Sequence, residues 1–201
     1  MEKFNVGILL FDDVEVLDFA GPFEVFSRTR SVPGAESRRS EDAAPFQVFT
    51  VAKTKQKIRA IGDLIVEPRY SFADGPRIDI LVVPGGWGSR TAMQDAEVLA
   101  WVKNVAASAR YTSSVCTGAL ILARTGLLAG RRATTHWAAY DLLASLDGGV
   151  KVVRNARVVK DGVFTSAGVS AGIDMAFALV EEICGRAVAD ETAHFIEYPR
   201  H

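Results

Sequence analysis

The chain has 201 residues, 49% hydrophobic and 23% charged, with a formal net charge of −1 at pH 7. That length suits one well-cored domain and is short for two, so residues 1–201 are expected to form a single unit. Interspersed, nearly balanced charge argues against nucleic acid or an anionic membrane as partner, and no apolar run approaches the ~20 residues of a membrane helix.

Residues 4–10 are continuously apolar, the pattern of a strand buried on both faces. The run meets Asp12-Asp13 without a small-residue cleavage site, so no secretory signal is expected. Residues 12–28 suit a helix with Leu17, Phe19, Phe23 and Phe26 inward, acids at Asp13, Glu15 and Asp18 near its start, and a bend at Pro22. Residues 31–45, with Pro33-Gly34 and a polar run, are expected to form a mobile surface loop. A strand follows at 46–52, then a side hairpin from 57–60 and 64–68 turned at Gly62-Asp63.

The second strongly buried strand is 78–84, stopped by Pro84-Gly85-Gly86-Trp87-Gly88. A helix over 96–109 would turn Val98, Leu99, Val102, Val105 and Ala106 inward. Residues 112–124 begin as a strand and end as a helix closing near Gly126, with Cys116 at the change of period. A strand at 132–136, a helix at 137–145, two or three strands within 150–166, a helix at 171–183 capped by Gly185 and a last helix at 188–197 complete the chain. Such alternation predicts a flavodoxin-like, doubly wound, mostly parallel α/β sheet with helices on both faces, plus a small β-hairpin. In such sheets ligands bind beyond the carboxyl ends of the strands. That rule gathers the loops at 12–18, 85–88, 116–117, 136–137 and 166–170 at one edge.

A strand turning sharply into a helix at Cys116 is the geometry of a nucleophile elbow, with the thiol over helix N–H groups that favour a thiolate. A buried cysteine acting as a small core hydrophobe is the other reading. Asp18, in the first turn after the first strand, can reach the same edge and share a proton with the thiol, or simply compensate a helix dipole. Gly85-Gly86 is not a dinucleotide fingerprint. As a tight turn, its Gly86 N–H can join the Thr117 N–H around a developing negative charge, unless the turn merely needs positive φ. His136 ends a strand-like run and can line the site, as can Val169 in the loop at 166–170. Trp87, Trp137 and Phe19 can wall an apolar pocket, although core packing is the commoner arrangement. Two cysteines give no disulfide framework, which points to a reducing, cytoplasmic setting, and Cys184 reads as inert core. His136, His194 and His201 lack ligand spacing, so no metal is expected.

The motifs "GILLFDDVEVLDFAGPFEVF", "ILVVPGGWG", "SVCTGALILARTGLL", "ATTHWAAYDLL" and "SAGVSAGIDMAFALVEEI" together resemble the ThiJ/PfpI superfamily, nearly end to end. Asp18 and Thr117 match the isocyanide (isonitrile) hydratase branch, where protease- and glyoxalase-like relatives carry glutamate and a histidine. The resemblance implies Cys116 as nucleophile, Asp18 as acid/base, Thr117 as a neighbouring hydroxyl, and Gly86 as a backbone donor. It also implies a homodimer acting on a small molecule without a cofactor. Redox or ligand sensing and glyoxalase-like chemistry are the alternatives. The same pattern resembles sensor domains of transcription regulators, but this chain leaves no room for a DNA-binding half.

Overall fold

The apolar run near the N-terminus forms β1 (Phe4–Leu9), which pairs in parallel with a strand on either side. The computed structural model describes residues 3–146 and 148–200. From β1 the chain passes through α1 (Val16–Arg28) to β2 (Phe46–Ala52), then β3 (Ile58–Arg59), β4 (Ile65–Val66) and β5 (Tyr70–Ser71). Next come β6 (Ile80–Val83), α2 (Ser89–Ala92), α3 (Ala96–Ser108), β7 (Tyr111–Ser114), α4 (Gly118–Arg124) and β8 (Arg132–Ala133). The remainder holds α5 (Tyr140–Ser145), β9 (Lys151–Val152), β10 (Val158–Lys160), β11 (Phe164–Ser166), α6 (Ala171–Cys184) and α7 (Arg186–Phe195).

The main sheet runs β10-β11-β7-β6-β1-β2-β5 and is parallel except between β10 and β11. The fold is therefore the expected mostly parallel sheet with helices on both sides. β3 and β4 form the small antiparallel hairpin around Gly62 and Asp63, both at positive φ. Strand alternation sorts side chains between two cores. Val6, Ile8, Ile80 and Val82 meet Phe26, Met175 and Phe177 on one side, while Leu9, Leu81 and Val83 meet Val98, Val102 and Leu120 on the other. Each such fully buried side chain contributes about 1.5–3 kcal/mol. Among the described residues no helix is long and apolar enough to cross a membrane.

Four details differ from the sequence-based reading. Residues 31–45 lie largely at the surface, as expected, but are anchored: Arg30 is buried and donates to the carbonyls of Ser27, Thr29, Ser37 and Ser40 and to Glu41. Arg38, also buried, pairs with Glu191 of α7 and stacks its guanidinium 4.4 Å from the Phe195 ring centroid. Two arginine forks thus satisfy carbonyls and two carboxylates that a polar composition would assign to water. Second, β8 leaves the main sheet and pairs with β9 in a separate two-stranded sheet. Third, β5 and α2 are too short to carry a periodic signal and were not expected. Fourth, of the three aromatic residues assigned to core or pocket, Phe19 packs the core, whereas Trp87 and Trp137 are each 73% exposed. Pro22 is carried within α1, which runs on to Arg28.

One of the closest backbone approaches in the fold lies where α4 begins. A Cβ on Gly118 would stand 2.0 Å from the Val83 carbonyl oxygen, backbone that cannot swing aside. Gly118→Ala is therefore expected to lower stability by about 2–4 kcal/mol, read from denaturation midpoints; an unchanged midpoint would mean α4 can shift freely.

Candidate active site

Val83 pairs with Ser114, and Ser114 with Thr165, so β6, β7 and β11 end level and their following loops converge. Cys116 lies just beyond β7 with φ 54°, a left-handed conformation uncommon outside glycine. The turn is held from both sides. The Cys116 N–H donates to the carbonyls of Ser166 and Ala167 at 3.2 and 3.1 Å, and its own carbonyl accepts the Thr135 hydroxyl at 2.7 Å. Val169, β-branched and also left-handed at φ 48°, turns its N–H toward the thiol, as does Thr117.

Asp18 reaches the same place from α1. It is fully buried; Oδ2 accepts the Gly85 N–H at 2.9 Å, while Oδ1 receives no hydrogen bond. Backbone ties fix this meeting. Val14 bridges Gly86, the Glu15 N–H donates to the Gly85 carbonyl at 3.0 Å, and the Gly88 N–H donates to that of Asp13 at 3.1 Å. Gly85 has no room for a side chain, because a Cβ would stand 2.5 Å from the Thr117 nitrogen and 3.0 Å from Asp18 Oδ2.

Burial, together with the nearby Glu15 charge, pushes the Asp18 carboxyl up to about 7, against the opposing pull of the Gly85 amide and the Cys116 thiol. The Cys116 thiol is pushed up to about 12, by burial first and then by the Asp18 charge; the Thr117 and Val169 amides pull the other way. The expectation of a resting thiolate thus needs correction. Helix-end and amide donors are outweighed by desolvation, and the resting group is a thiol beside a carboxyl that titrates near neutrality.

The other residues singled out from sequence fall as follows. Thr117 Oγ1 accepts the Gly86 N–H at 3.1 Å, sits 2.9 Å from Ser89 Oγ of α2, and also lies beside the Cys116 thiol, whose ionised form it favours. The Gly86 N–H is consequently already donated, and the amides facing sulfur are those of Thr117 and Val169. His136 is half-buried, its Nδ1 accepts the Ala138 N–H at 3.2 Å, and its ring lies against Gly168. No hydrogen bond joins it to Cys116 or Asp18 among the described residues. Trp87 carries the Arg90 guanidinium 4.7 Å from its ring centroid, and Trp137 flanks the His136 ring at 5.3 Å. Cys184 is half-buried against the core. Ser89 and Thr135 were not singled out: a hydroxyl's partner is set by tertiary packing, and neither sits in a local motif that announces it.

A doubly wound sheet with a strained cysteine elbow against a buried acid defines a class, and the comparisons agree: residues 5–182 match the DJ-1/PfpI family, to which the chain belongs. It is 40% identical over 195 residues to the isonitrile hydratase of Pseudomonas putida, covering 96% of this chain and 78% of that one. A ThiJ/PfpI family crystal structure from Pseudomonas syringae superposes with TM-score 0.86 at 32% identity, covering all of this chain and 77% of that one. The transcriptional regulator GbdR of Pseudomonas aeruginosa is 26% identical over 198 residues, 98% of this chain and 51% of the regulator.

Asp18's buried charge has a thermodynamic signature. Because its folded value of about 7 lies above the ordinary 3.8, the folded protein keeps a proton that the unfolded chain releases, and stability falls as pH rises between those values. Asp18→Asn keeps an oxygen for the Gly85 N–H and carries no charge. It is expected to gain on wild type above neutrality, by up to about 4 kcal/mol, and to lose that gain progressively as pH falls from about 7 to 3.8. Urea midpoints at the two pH extremes check this; an identical pH dependence in both proteins would contradict it.

Proposed function

We propose that the chain is a cysteine-dependent hydratase that adds water to an isonitrile and releases an N-substituted formamide. The observation that carries this reading is the Cys116 thiol beside a wholly buried Asp18 whose second oxygen is unpaired. Likeness to the P. putida isonitrile hydratase supplies the substrate class.

The terminal carbon of an isonitrile accepts nucleophiles. As the Cys116 sulfur bonds to it, the thiol proton passes to the Asp18 carboxylate and from there to the same carbon, giving a neutral thioimidate. While the S–H bond breaks, the Thr117 and Val169 amides steady the charge on sulfur. Asp18, again a carboxylate, takes a proton from water as the water oxygen adds to the thioimidate carbon, and passes that proton to the nitrogen. Collapse of that adduct breaks the C–S bond, returns a proton to sulfur and frees the formamide. Gly85 steadies Asp18, Gly86 steadies Thr117, and His136 and Trp87 border the approach. We extend the reading to a homodimer in the reducing cytoplasm, in line with the family.

Wild type and variants assayed with isonitriles, methylglyoxal and peptide amides test the assignment. Formamide is expected from isonitriles with wild type, none with Cys116→Ala, and a rate at least ~10²-fold lower with Asp18→Asn. Normal turnover by Cys116→Ala would sink the proposal. The wild-type kcat/KM should rise with pH through about 7 as Asp18 ionises, and that rise should vanish in Asp18→Asn. Likeness to the regulator favours ligand sensing as a second reading; saturable isonitrile binding without any product would support it.

A further inference from the structure

A cavity of about 450 Å³ opens at the carboxyl ends of β1 and β2, under α2 and the start of α3. Its lining contains none of Asp18, Gly85, Cys116, Thr117 or Val169, although Asp13 and Gly88, whose backbone tie braces that site, lie on its rim. Its volume falls in the range that holds small ligands. Like the Cys116 site, it lies beyond the carboxyl ends of the parallel strands, the edge at which such sheets bind ligands.

The lining has a definite chemistry. Ile58 and Val98 give a buried apolar floor, and Phe11 and Phe72 give aromatic walls. Phe72 is held in place beforehand by stacking on Trp101, with ring centroids 4.3 Å apart. Five charged residues line the cavity: Asp12, Asp13, Lys53, Lys57 and Asp95. Lys53 is already taken up by Asp95 at 3.0 Å and Glu97 at 3.2 Å, so that edge is neutralised. On the other edge Asp12 accepts the Arg59 N–H with one oxygen at 2.8 Å, and among the described residues the Asp13 carboxylate has no ion pair or hydrogen bond. Two carboxylates there face the single positive charge of Lys57, which leaves the mouth net negative.

We propose that this cavity is a second small-molecule site, separate from Cys116, for an organic ammonium ion with an aromatic or aliphatic body. The body lies between Phe11 and Phe72, and the ammonium head meets Asp12 and Asp13. Aromatic faces together with carboxylates are the chemistry that holds such cations.

The test titrates the full chain with 2-phenylethylamine, 2-phenylethanol and 3-phenylpropionate while following backbone amides by NMR. The amine is expected to saturate, with the largest shifts at Gly88, Thr91 and Val98 rather than at Thr117 or Val169; the alcohol binds more weakly, and the carboxylate does not bind. Cys116→Ala should bind the amine as wild type does. Asp13→Asn, at a left-handed position where asparagine is at ease, should weaken the amine about fivefold or more. Thr91→Trp, on the exposed rim, should block it. No saturation, equal binding of the carboxylate, shifts centred on Cys116, or indifference to both rim variants would overturn the proposal.

Discussion

The Asp18 carboxyl is sealed from water with one oxygen on the Gly85 amide and the other unpaired, and the site depends on keeping it beside a thiol. An isolated buried carboxylate is costly, and the fold bears that cost with rigid backbone rather than with a counter-ion. The bridge between Val14 and Gly86, the absence of a Cβ at Gly85 and the close start of α4 at Gly118 all serve the same meeting. Loosening any one of them admits water or separates the two groups.

Magnitudes decide the resting state. A helix N-terminus favours negative charge by about 0.3–1 kcal/mol, and by about 2 at most in partly buried geometry. Burial of a titratable group shifts its pKa by up to several units, each worth about 1.4 kcal/mol. Desolvation therefore wins at Cys116, and the elbow does not hold a standing thiolate. Sulfur becomes a nucleophile by handing its proton to Asp18, a carboxyl brought close enough to neutrality to take and return it. Two groups that each resist ionisation alone can thus exchange one proton cheaply.

Much of this was legible in the residues. Continuous apolar runs at β1 and β6, the change of period at Cys116 and the order of loops after strands sufficed to gather Asp18, Gly85 and Cys116 at one edge. What escaped depends on through-space packing. The Gly86 N–H reads as free until Thr117 is seen to take it, and the 31–45 segment reads as loose until Arg30 and Arg38 are seen to be buried. Trp87 and Trp137 are of a residue type that usually packs inward, yet each stays 73% exposed, touched by Arg90 and His136 respectively. The thiol's protonation likewise turns on burial depth, which local sequence does not encode.

The shared proton is most directly tested by following the Asp18 carboxyl itself, by isotope-edited infrared or carbon NMR titration, in wild type and in Cys116→Ala. Titration near pH 7, displaced when the thiol is removed, is the expected result. An Asp18 that stays ionised down to the ordinary 3.8 and ignores the loss of Cys116 would contradict it.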